Sequence, residues 1–418
     1  MNHKQIAIVG SGISGMACAH FLSREHAVTL FEKDHRLGGH SHTVMVDEGF
    51  AQVPVDTGFM VYNEATYPLL TRLFRELDVR TKPTSMSFSV QHLSEGLEFN
   101  GGSLNLLFGQ RRNLLNLRYW RMLMQINRFN RETVEELTDP KFGDLTLREY
   151  VKKRGYGEDF LSWYLSPMAA AVWSSPPERI ETFPARTLMR FWHNHGFLGL
   201  DTQHPWRTVD GGSRCYVEKL TAPLRDRIHV GAPVRTVEGT SLWLDDGNQL
   251  DFDQIVIAAH GDQALKLLAD PTTLERDLLG KFTYQENVAL LHTDPQFMPG
   301  TRRCWAAWNY RIDKTHRHST HYWMNELQGV SDREQYFVSI NPPSPVADDR
   351  VKRRLVYEHP LFDLEAIRAQ ECLPQLHKQG QETGRYFCGA WQRYGFHEDG
   401  LWSAVNVCAS LLGRDPWS

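Results

Sequence analysis

The sequence is poor in cysteine and has no cysteine pair. Its six cysteines lie at positions 18, 215, 304, 372, 388 and 408 of 418, and no CxxC motif occurs. This scatter excludes a disulfide-stabilised scaffold and a CxxC zinc or redox centre, and it favours a reducing compartment. We therefore expect a cytoplasmic protein.

The sequence also lacks an excess of charge and a long apolar run. Lysine and arginine number 46 against 50 for aspartate and glutamate, a net charge of −4, which argues against a general nucleic-acid binder. No apolar run approaches the ~18 residues of a membrane span. The first strand pattern begins near Gln5, which leaves no room for a signal peptide. The sequence predicts a soluble protein, or one bound peripherally to the inner face of the membrane.

Motifs of hydrolases and metal enzymes are missing as well. The sequence has no GxSxG elbow and no HExxH motif, so serine hydrolase and zinc protease chemistry have no support. In the His-rich run 314–321, His316 and His318 would share one face of a strand, but no cysteine or clustered acid completes a ligand set. We expect no metal site.

The strongest positive signal is a strand, a glycine-rich turn and a helix at the start of the chain. Ile6–Val9 is typical of a buried parallel strand, and it leads into Gly10-Ser11-Gly12-Ile13-Ser14-Gly15. The three glycines allow a tight turn, the approach of a pyrophosphate and close helix packing, in that order. A second apolar run ends at Glu32, 22 residues after Gly10, where a carboxylate can accept ribose hydroxyls. The expected cofactor contacts here are Gly10, Gly12, Ile13, Ser14, Gly15, Glu32 and Lys33.

A second glycine-rich turn follows closely, at Arg36-Leu37-Gly38-Gly39-His40. With the first turn, it resembles the superfamily of flavin-containing amine oxidases, protoporphyrinogen oxidases and phytoene desaturases. There an RxGG segment wraps the pyrophosphate and ribityl chain of FAD, so the resemblance implies FAD rather than a nicotinamide cofactor. The superfamily usually has arginine at the position of His40. The contacts implied here are Arg36, Gly38, Gly39, His40 and Ser41.

Three later segments resemble further cofactor motifs of this superfamily. A D-x-G segment would bring residues 58–60 to the flavin ring, and Val234 would offer backbone groups to the adenine. Near the C-terminus a glycine would lie against the ribityl chain, and a helix from Leu401 to Leu412 would point its N-terminus at the flavin, with Asp399 as its N-cap. The implied contacts are Gly58, Phe59, Met60, Val234, Gly389, Asp399, Gly400 and Leu401.

These motifs predict an α/β fold with two domains. A Rossmann-type, glutathione-reductase-like FAD-binding domain with a parallel sheet should comprise residues 1–75, 205–270 and 381–418. An inserted α+β substrate domain with an antiparallel sheet should comprise residues 76–204 and 271–380. We expect residues 140–204 to begin as a helix and then become irregular.

Interior segments such as VDTGFMVYN, AAAVWSSP, YEHP and GFHEDGL resemble one bacterial branch of the superfamily, which is associated with cyclopropane-fatty-acyl synthases. The resemblance implies an FAD-dependent oxidoreductase that takes hydride from a C–H (or C–N) centre of an apolar substrate. The expected reaction is desaturation or oxidation of a methyl-branched or cyclopropane fatty acyl chain. A flavin amine oxidase and a non-catalytic lipid- or prenyl-binding protein on the same fold are the alternatives.

The substrate pocket should be apolar and aromatic, built from residues 140–204 and 285–340 and closed near Trp391 and Tyr394. Tyr394 and His397 are the catalytic candidates nearest the flavin by motif, and His195 is a more remote one. Each of these side chains is also explained by packing or hydrogen bonding alone.

Residues 103–131 contain six arginines and no acid, interleaved with leucine, methionine and tryptophan. A basic face beside an apolar face is typical of a helix in a bilayer interface, and equally of a domain helix with solvated arginines. Peripheral membrane contact through 103–131 is therefore a hypothesis. The sequence leaves the electron acceptor and the oligomeric state open.

Overall fold

A computed structural model describes residues 3–139, 145–199 and 202–418. In these ranges the strands are β1 (Gln5–Val9), β2 (Ala27–Glu32), β3 (Thr43–Asp47), β4 (Gln52–Asp56), β5 (Tyr62–Asn63), β6 (Thr81–Thr84), β7 (Phe88–His92), β8 (Leu97–Asn100), β9 (Trp206–Val209), β10 (Ile228–Val230), β11 (Val234–Glu238), β12 (Ser241–Leu244), β13 (Gln249–Asp251), β14 (Gln254–Ile257), β15 (Thr283–His292), β16 (Trp308–Ile312), β17 (His318–Trp323), β18 (Phe337–Ile340), β19 (Val351–Leu361) and β20 (Arg385–Phe387). The α-helices are α1 (Ile13–Leu22), α2 (Pro68–Glu76), α3 (Leu104–Leu107), α4 (Leu117–Glu136), α5 (Leu147–Arg154), α6 (Glu158–Phe160), α7 (Ser166–Trp173), α8 (Pro177–Glu181), α9 (Ala185–Asn194), α10 (Arg214–Thr221), α11 (Gly261–Leu267), α12 (Thr273–Leu279), α13 (Met324–Gln328), α14 (Leu364–Thr383) and α15 (His397–Leu412). Short 3₁₀ segments lie at Arg111–Leu115, Ala222–Arg227, Pro295–Phe297, Arg302–Cys304, Asp348–Arg350 and Ala390–Gln392, and a π-helical turn lies at Leu161–Leu165.

A five-stranded parallel sheet with helices on both faces forms the first part of the fold. Its order is β10-β2-β1-β14-β20, and every neighbouring pair is parallel. Both faces of β1 are buried, with Ile6 and Ile8 packed on the side of α1 and α15 and Ala7 and Val9 on the side of α12 and α14. Burial on both faces explains the unbroken apolar run in the sequence.

A seven-stranded sheet forms the second part of the fold, and its strand order is β19-β15-β18-β17-β16-β7-β8. Its neighbours are antiparallel except for β7 and β16, which pair in parallel from Phe88–Trp308 to His92–Ile312. This pairing joins residues 88–100 and 283–361 in one sheet. The α/β class, with a parallel sheet and a separate, mainly antiparallel one, is confirmed.

Two details differ from the sequence-based expectation. Helices α12 and α14 pack against the parallel sheet, with Leu279, Ala366 and Leu373 in the same core as Ile255 and Phe387. The predicted boundary at residue 380 placed all of α12 and most of α14 in the substrate domain. Residues 145–199 are mostly helical rather than irregular, because proline or a capping box starts several short helices there. Residues 140–144, 200 and 201 lie outside the described part, and the proposed domain boundaries stay a prediction.

Candidate functional site

The glycine-rich turn joins β1 to α1 at the edge of the parallel sheet where the carboxyl ends of β1 and β14 meet. Gly10 has φ +102°, and a Cβ there would lie 2.5 Å from the Ala258 carbonyl oxygen. A Cβ on Gly15 would lie 1.9 Å from the Gly10 oxygen, whereas a Cβ on Gly12 would meet nothing within 4 Å. Gly10 and Gly15 therefore serve backbone packing, and the free space is at Gly12.

The N-terminus of α1 is open to an anion. Gly12 is its N-cap and offers no side-chain acceptor, and the first turn carries no acid. Ile13 is buried, and the Ser14 hydroxyl donates to the Gly400 carbonyl at 2.9 Å, which ties α1 to α15. The free N–H groups and the positive end of the helix dipole suit a pyrophosphate.

Glu32 ends β2 beside this loop. One carboxylate oxygen accepts from the Ser11 amide at 2.8 Å and from its hydroxyl at 2.5 Å, and the other accepts from the Asp34 amide. The backbone of residues 231 and 232 donates to the carbonyls of residues 34 and 32, which brings the start of β11 and Val234 to the same end of the sheet. Lys33 is exposed next to this acid. The acid that should receive the ribose also holds the phosphate loop in place.

The second glycine-rich turn packs on the first. The Gly38 amide donates to the Ser11 carbonyl at 3.0 Å, and a Cβ on Gly39 would lie 3.1 Å from the Gly12 Cα. Both glycines have positive φ, +107° and +56°. Arg36 is half-buried at the start of the turn. The two turns thus form one cradle around the open space at Gly12.

The D-x-G segment is fixed by its aspartate. Asp56 is buried, and its carboxylate accepts from the hydroxyls of Thr43 and Ser213 and from the Gln328 amide at 2.6 to 2.8 Å. Burial raises the pKa of Asp56. Next to it, a Cβ on Gly58 would lie 2.1 Å from the His40 oxygen. These contacts tie the D-x-G segment to the start of β3 and to the residues before α10.

His397 is enclosed by the residues that follow the cradle. Its Nε2 lies 2.8 Å from the hydroxyl oxygens of both Ser41 and Tyr216, and its ring stacks on Phe59 at 3.8 Å. Burial lowers the pKa of His397 to about 3, so the ring is neutral near pH 7. Because this nitrogen is already engaged, the geometry favours a positioning role for His397. Met60 is buried beside this group, and its carbonyl accepts from the Thr208 hydroxyl.

The last helix begins four residues earlier than predicted, at His397. Its N-cap is Phe396, and Asp399 is the third helical residue, whose carboxylate accepts from the Phe396 amide at 2.9 Å. The prediction of Asp399 as N-cap is therefore wrong, because its side chain reaches back to the residue that fills this position. Gly400 packs on α1, where a Cβ would lie 2.8 Å from Ile13. Gly389 lies after β20, and Leu401 is fully buried.

An aromatic wall lies between α7, α9 and the start of α15. Its rings are in contact, with centroid distances of 4.8 Å for Trp173–Phe191, 4.9 Å for Phe191–Phe396 and 5.7 Å for Phe191–Tyr394. Tyr394 is half-buried, and its carbonyl accepts from the Trp173 indole. We call Trp173, Phe191, Tyr394 and Phe396 the aromatic wall. Trp391 does not belong to it, because its indole donates to the Ala259 carbonyl and packs on Phe282.

His195 stands at the edge of the wall. It stacks on Phe191 at 3.9 Å, and its Nδ1 lies 2.9 Å from the Phe191 carbonyl oxygen. Burial lowers the pKa of His195 to about 4. Because a carbonyl oxygen can only accept, Nδ1 of the neutral ring donates and Nε2 is left as an acceptor, whereas Nε2 of His397 is already engaged.

Three histidines meet on the opposite side of the cradle, and sequence reasoning identified only one of them. The ring of His40 lies 5.5 Å from that of His359 and 6.2 Å from that of His260. Burial lowers the pKa of His40 and His260 to about 4 and that of His359 to about 3. All three remain partly accessible, as expected of side chains that line an internal space. Three neutral imidazoles therefore lie together beside the second glycine-rich turn. The position of His260, directly after a buried parallel strand, was a usable signal.

The His-rich run does not form the predicted face. His316 lies in a turn with φ +59°, and His318 lies on β17, where its Nδ1 is 3.0 Å from the Tyr310 hydroxyl oxygen. Among residues 3–139, 145–199 and 202–418, no group of three or more potential ligands could hold a metal ion.

The cradle fits FAD by its own chemistry. The open backbone at Gly12, the uncapped helix behind it and the acid at the end of β2 match a pyrophosphate and a ribose. These residues would hold the adenosine and phosphates, while Gly39 and Gly58, near His40, would flank the rest of the cofactor.

Comparison with known proteins agrees with this geometry. A family model for flavin containing amine oxidoreductases matches residues 13–338. Similar solved structures include putrescine oxidase bound to putrescine, with 14% identity, 99% of this chain and 100% of that chain covered and a TM-score of 0.66. The CLA-producing fatty acid isomerase from P. acnes has 13% identity, coverages of 96% and 97% and a TM-score of 0.66. Cyclohexylamine oxidase from Brevibacterium oxydans IH-35A has 14% identity, coverages of 98% and 100% and a TM-score of 0.66. At these identities the likeness shows the fold alone, and no curated protein matches the chain.

Proposed function

The chain belongs to the flavin-containing amine oxidoreductase family and is an FAD-dependent oxidoreductase, and we propose that it desaturates or oxidises a modified fatty acyl chain. Bound FAD supplies a hydride acceptor. The protein must then hold an unactivated carbon in register and exclude water.

The aromatic wall is the observation that carries this proposal. Trp173 and Phe396 are joined through Phe191, and the contacts continue to Phe183 at 5.0 Å from Trp173. A small cavity beside the wall is lined by apolar side chains of Trp173, Ile180, Phe183 and Phe362, with Arg179 and Asp363 also on its lining. Such a surface suits an alkyl chain, which it can orient by shape and shield from water.

The acids nearest the wall argue against an amine substrate. Glu398 accepts from the amides of Leu69 and Leu70, both at 2.9 Å, at the start of α2. Asp399 accepts from the Phe396 amide and lies 3.7 Å from Arg393. Both carboxylates are engaged by the protein, so neither is placed to bind an ammonium group.

Loss of hydride from an alkyl carbon must be accompanied by loss of a proton from its neighbour. His195 offers a neutral Nε2 at the edge of the wall, and the Phe191 carbonyl fixes its tautomer through Nδ1. The lowered pKa of His195 makes it a weak base. We assign it the proton-accepting role, with His397 positioning Ser41 and Phe59.

Anaerobic reduction of the bound flavin tests the proposal. Methyl-branched or cyclopropane fatty acyl substrates should bleach the visible absorption of FAD and yield a product lighter by two hydrogens. Straight saturated chains and an aliphatic diamine serve as controls. Bleaching by the diamine alone would make the protein an amine oxidase, and the fatty-acyl assignment would be wrong.

A further inference from the structure

Exposed apolar side chains are concentrated in one short stretch of the chain. Of the twelve large apolar residues that are exposed in the described part of the chain, six lie between residues 104 and 124. Leu115 is 89% exposed and Leu117 82%. The six are Leu104, Leu114, Leu115, Leu117, Trp120 and Met124. A cluster of this size on one surface marks an interaction site rather than chance exposure.

The cluster is rigidly built. Leu117, Trp120 and Met124 follow each other at helical spacing on α4, so they share one face. The Trp120 indole donates to the Leu114 carbonyl at 3.0 Å, which fastens the preceding 3₁₀ turn to this helix. The opposite face of α4 is anchored by buried Tyr119 and Met122. We call Leu114, Leu115, Leu117, Trp120 and Met124 the apolar face.

Several arginines flank the apolar face, and they differ in whether an acid pairs with them. Arg121 and Arg131 have no acidic partner within ion-pairing distance among the described residues, and Arg111 binds Asn105 and the Phe108 carbonyl rather than an acid. Arg118 differs, because it is paired with Glu95 at 2.9 Å and Asp159 at 2.6 Å. Of the arginines in 103–131, Arg121 and Arg131 therefore offer unpaired positive charge to a partner, whereas the charge of Arg118 is neutralised by the protein's own acids.

We propose that this surface binds an anionic lipid bilayer, with the apolar face inserted at the level of the headgroups. Arginines beside a shallow layer of leucine, methionine and tryptophan match negative headgroups above acyl chains. Arg121 and Arg131, which have no acidic partner among the described residues, favour an anionic occupant, while the nearby acids Glu95 and Asp159 are paired with Arg118. The inner side of α4 leads inward: Phe129 lies 6.0 Å from Trp192 on α9, the helix that carries Phe191 of the aromatic wall.

Vesicle cosedimentation of the FAD-loaded protein tests the surface independently of any substrate. The probes are phosphatidylcholine vesicles with and without phosphatidylglycerol, at low and high salt. Leu115→Ser/Leu117→Ser should weaken partitioning at least tenfold, and Arg121→Glu should weaken it about fivefold or more at low salt only. Val356→Ser, which is 54% exposed on β19, and the exposed Arg225→Glu are matched controls elsewhere on the surface.

Binding to the anionic vesicles that falls with salt and with both test variants, but with neither control, establishes the surface. No binding by the wild type, or equal losses in Val356→Ser and the leucine pair, would overturn it. Thermal unfolding and FAD content of each variant report its folding. Because flavin reduction by soluble short-chain substrates needs no vesicle, failure here leaves the proposed reaction separately measurable.

Discussion

Replacing Gly12 by alanine should separate cofactor binding from folding. Its φ of −63° is ordinary for any residue, and the new Cβ meets no atom within 4 Å in the protein. Gly15 offers the opposite case, because its Cβ would collide with the Gly10 carbonyl oxygen. The methyl group of Gly12→Ala therefore occupies the space expected to hold the pyrophosphate, whereas that of Gly15→Ala overlaps the protein's own backbone.

The magnitudes follow from these two environments. In Gly12→Ala, loss of a tolerated N-cap glycine costs about 0.5–1 kcal/mol, and the less flexible unfolded chain offsets about 0.4–1 kcal/mol. The apoprotein should thus unfold within about 1 kcal/mol of the wild type. A methyl group between helix and phosphate should weaken FAD binding by roughly 10- to 100-fold, which is about 1.4–2.7 kcal/mol. Gly15→Ala should destabilise the apoprotein by about 3 kcal/mol, the upper end of what an overpacked core costs, because the Cβ would meet backbone rather than a flexible side chain.

Two measurements on each variant decide the matter. Denaturant unfolding of the apoprotein gives the free energy of unfolding, and quenching of flavin fluorescence on titration gives FAD affinity. Wild-type affinity in Gly12→Ala would refute the phosphate site. A folded, unaltered Gly15→Ala would refute the packing argument.

Three further outcomes are expected. Glu32→Gln should weaken FAD binding about tenfold in equilibrium dialysis, because an amide is a poorer acceptor for ribose hydroxyls than a carboxylate; unchanged affinity would contradict the ribose assignment. Arg385→Met should lower the free energy of unfolding by about 3–5 kcal/mol, because it leaves the carboxylate of Glu275, which is 1% exposed, without its ion-pair partner. The control Lys281→Met breaks the exposed ion pair with Glu365 and should lower the free energy of unfolding by less than about 1 kcal/mol. The free energy of unfolding of the apoprotein should fall as the pH drops below about 6.5. In the unfolded chain these histidines take up protons near that pH, whereas in the folded protein the lowered pKa of His40 and of its histidine neighbours keeps them neutral. A free energy of unfolding that stays constant from pH 7 to 5 would count against a neutral cluster.

Local pattern was enough to place much of the fold. The apolar spacing of Leu70, Leu73 and Phe74 is that of a helix, and all three lie buried on α2; the strands β3 and β4 flank a turn at Glu48-Gly49. Both rest on periodicity and turn chemistry, which act between neighbours in the chain. The β1–α1–β2 unit was predictable for the same reason.

Side chains brought together from distant segments were not predictable. His359 lies on β19, directly after Glu358, and nothing near it in the sequence connects it with His40. Glu398 was overlooked because its partners, the amides at the start of α2, lie more than 300 residues away. The charge run 103–131 was visible, but the pairing of Arg118 with Glu95 and Asp159 required the tertiary structure.

The contact between α1 and α15 has a consequence for how the protein is made. The Ser14–Gly400 hydrogen bond spans 386 residues, and β1 pairs with β14 near residue 255. At about 5–20 residues per second, translation needs roughly 20–80 s to bring these partners out of the ribosome. Through that time the nascent N-terminus carries an apolar strand and helix without their neighbours. The cofactor site is therefore complete only after residue 400 has been synthesised, and FAD cannot find its full set of contacts before then.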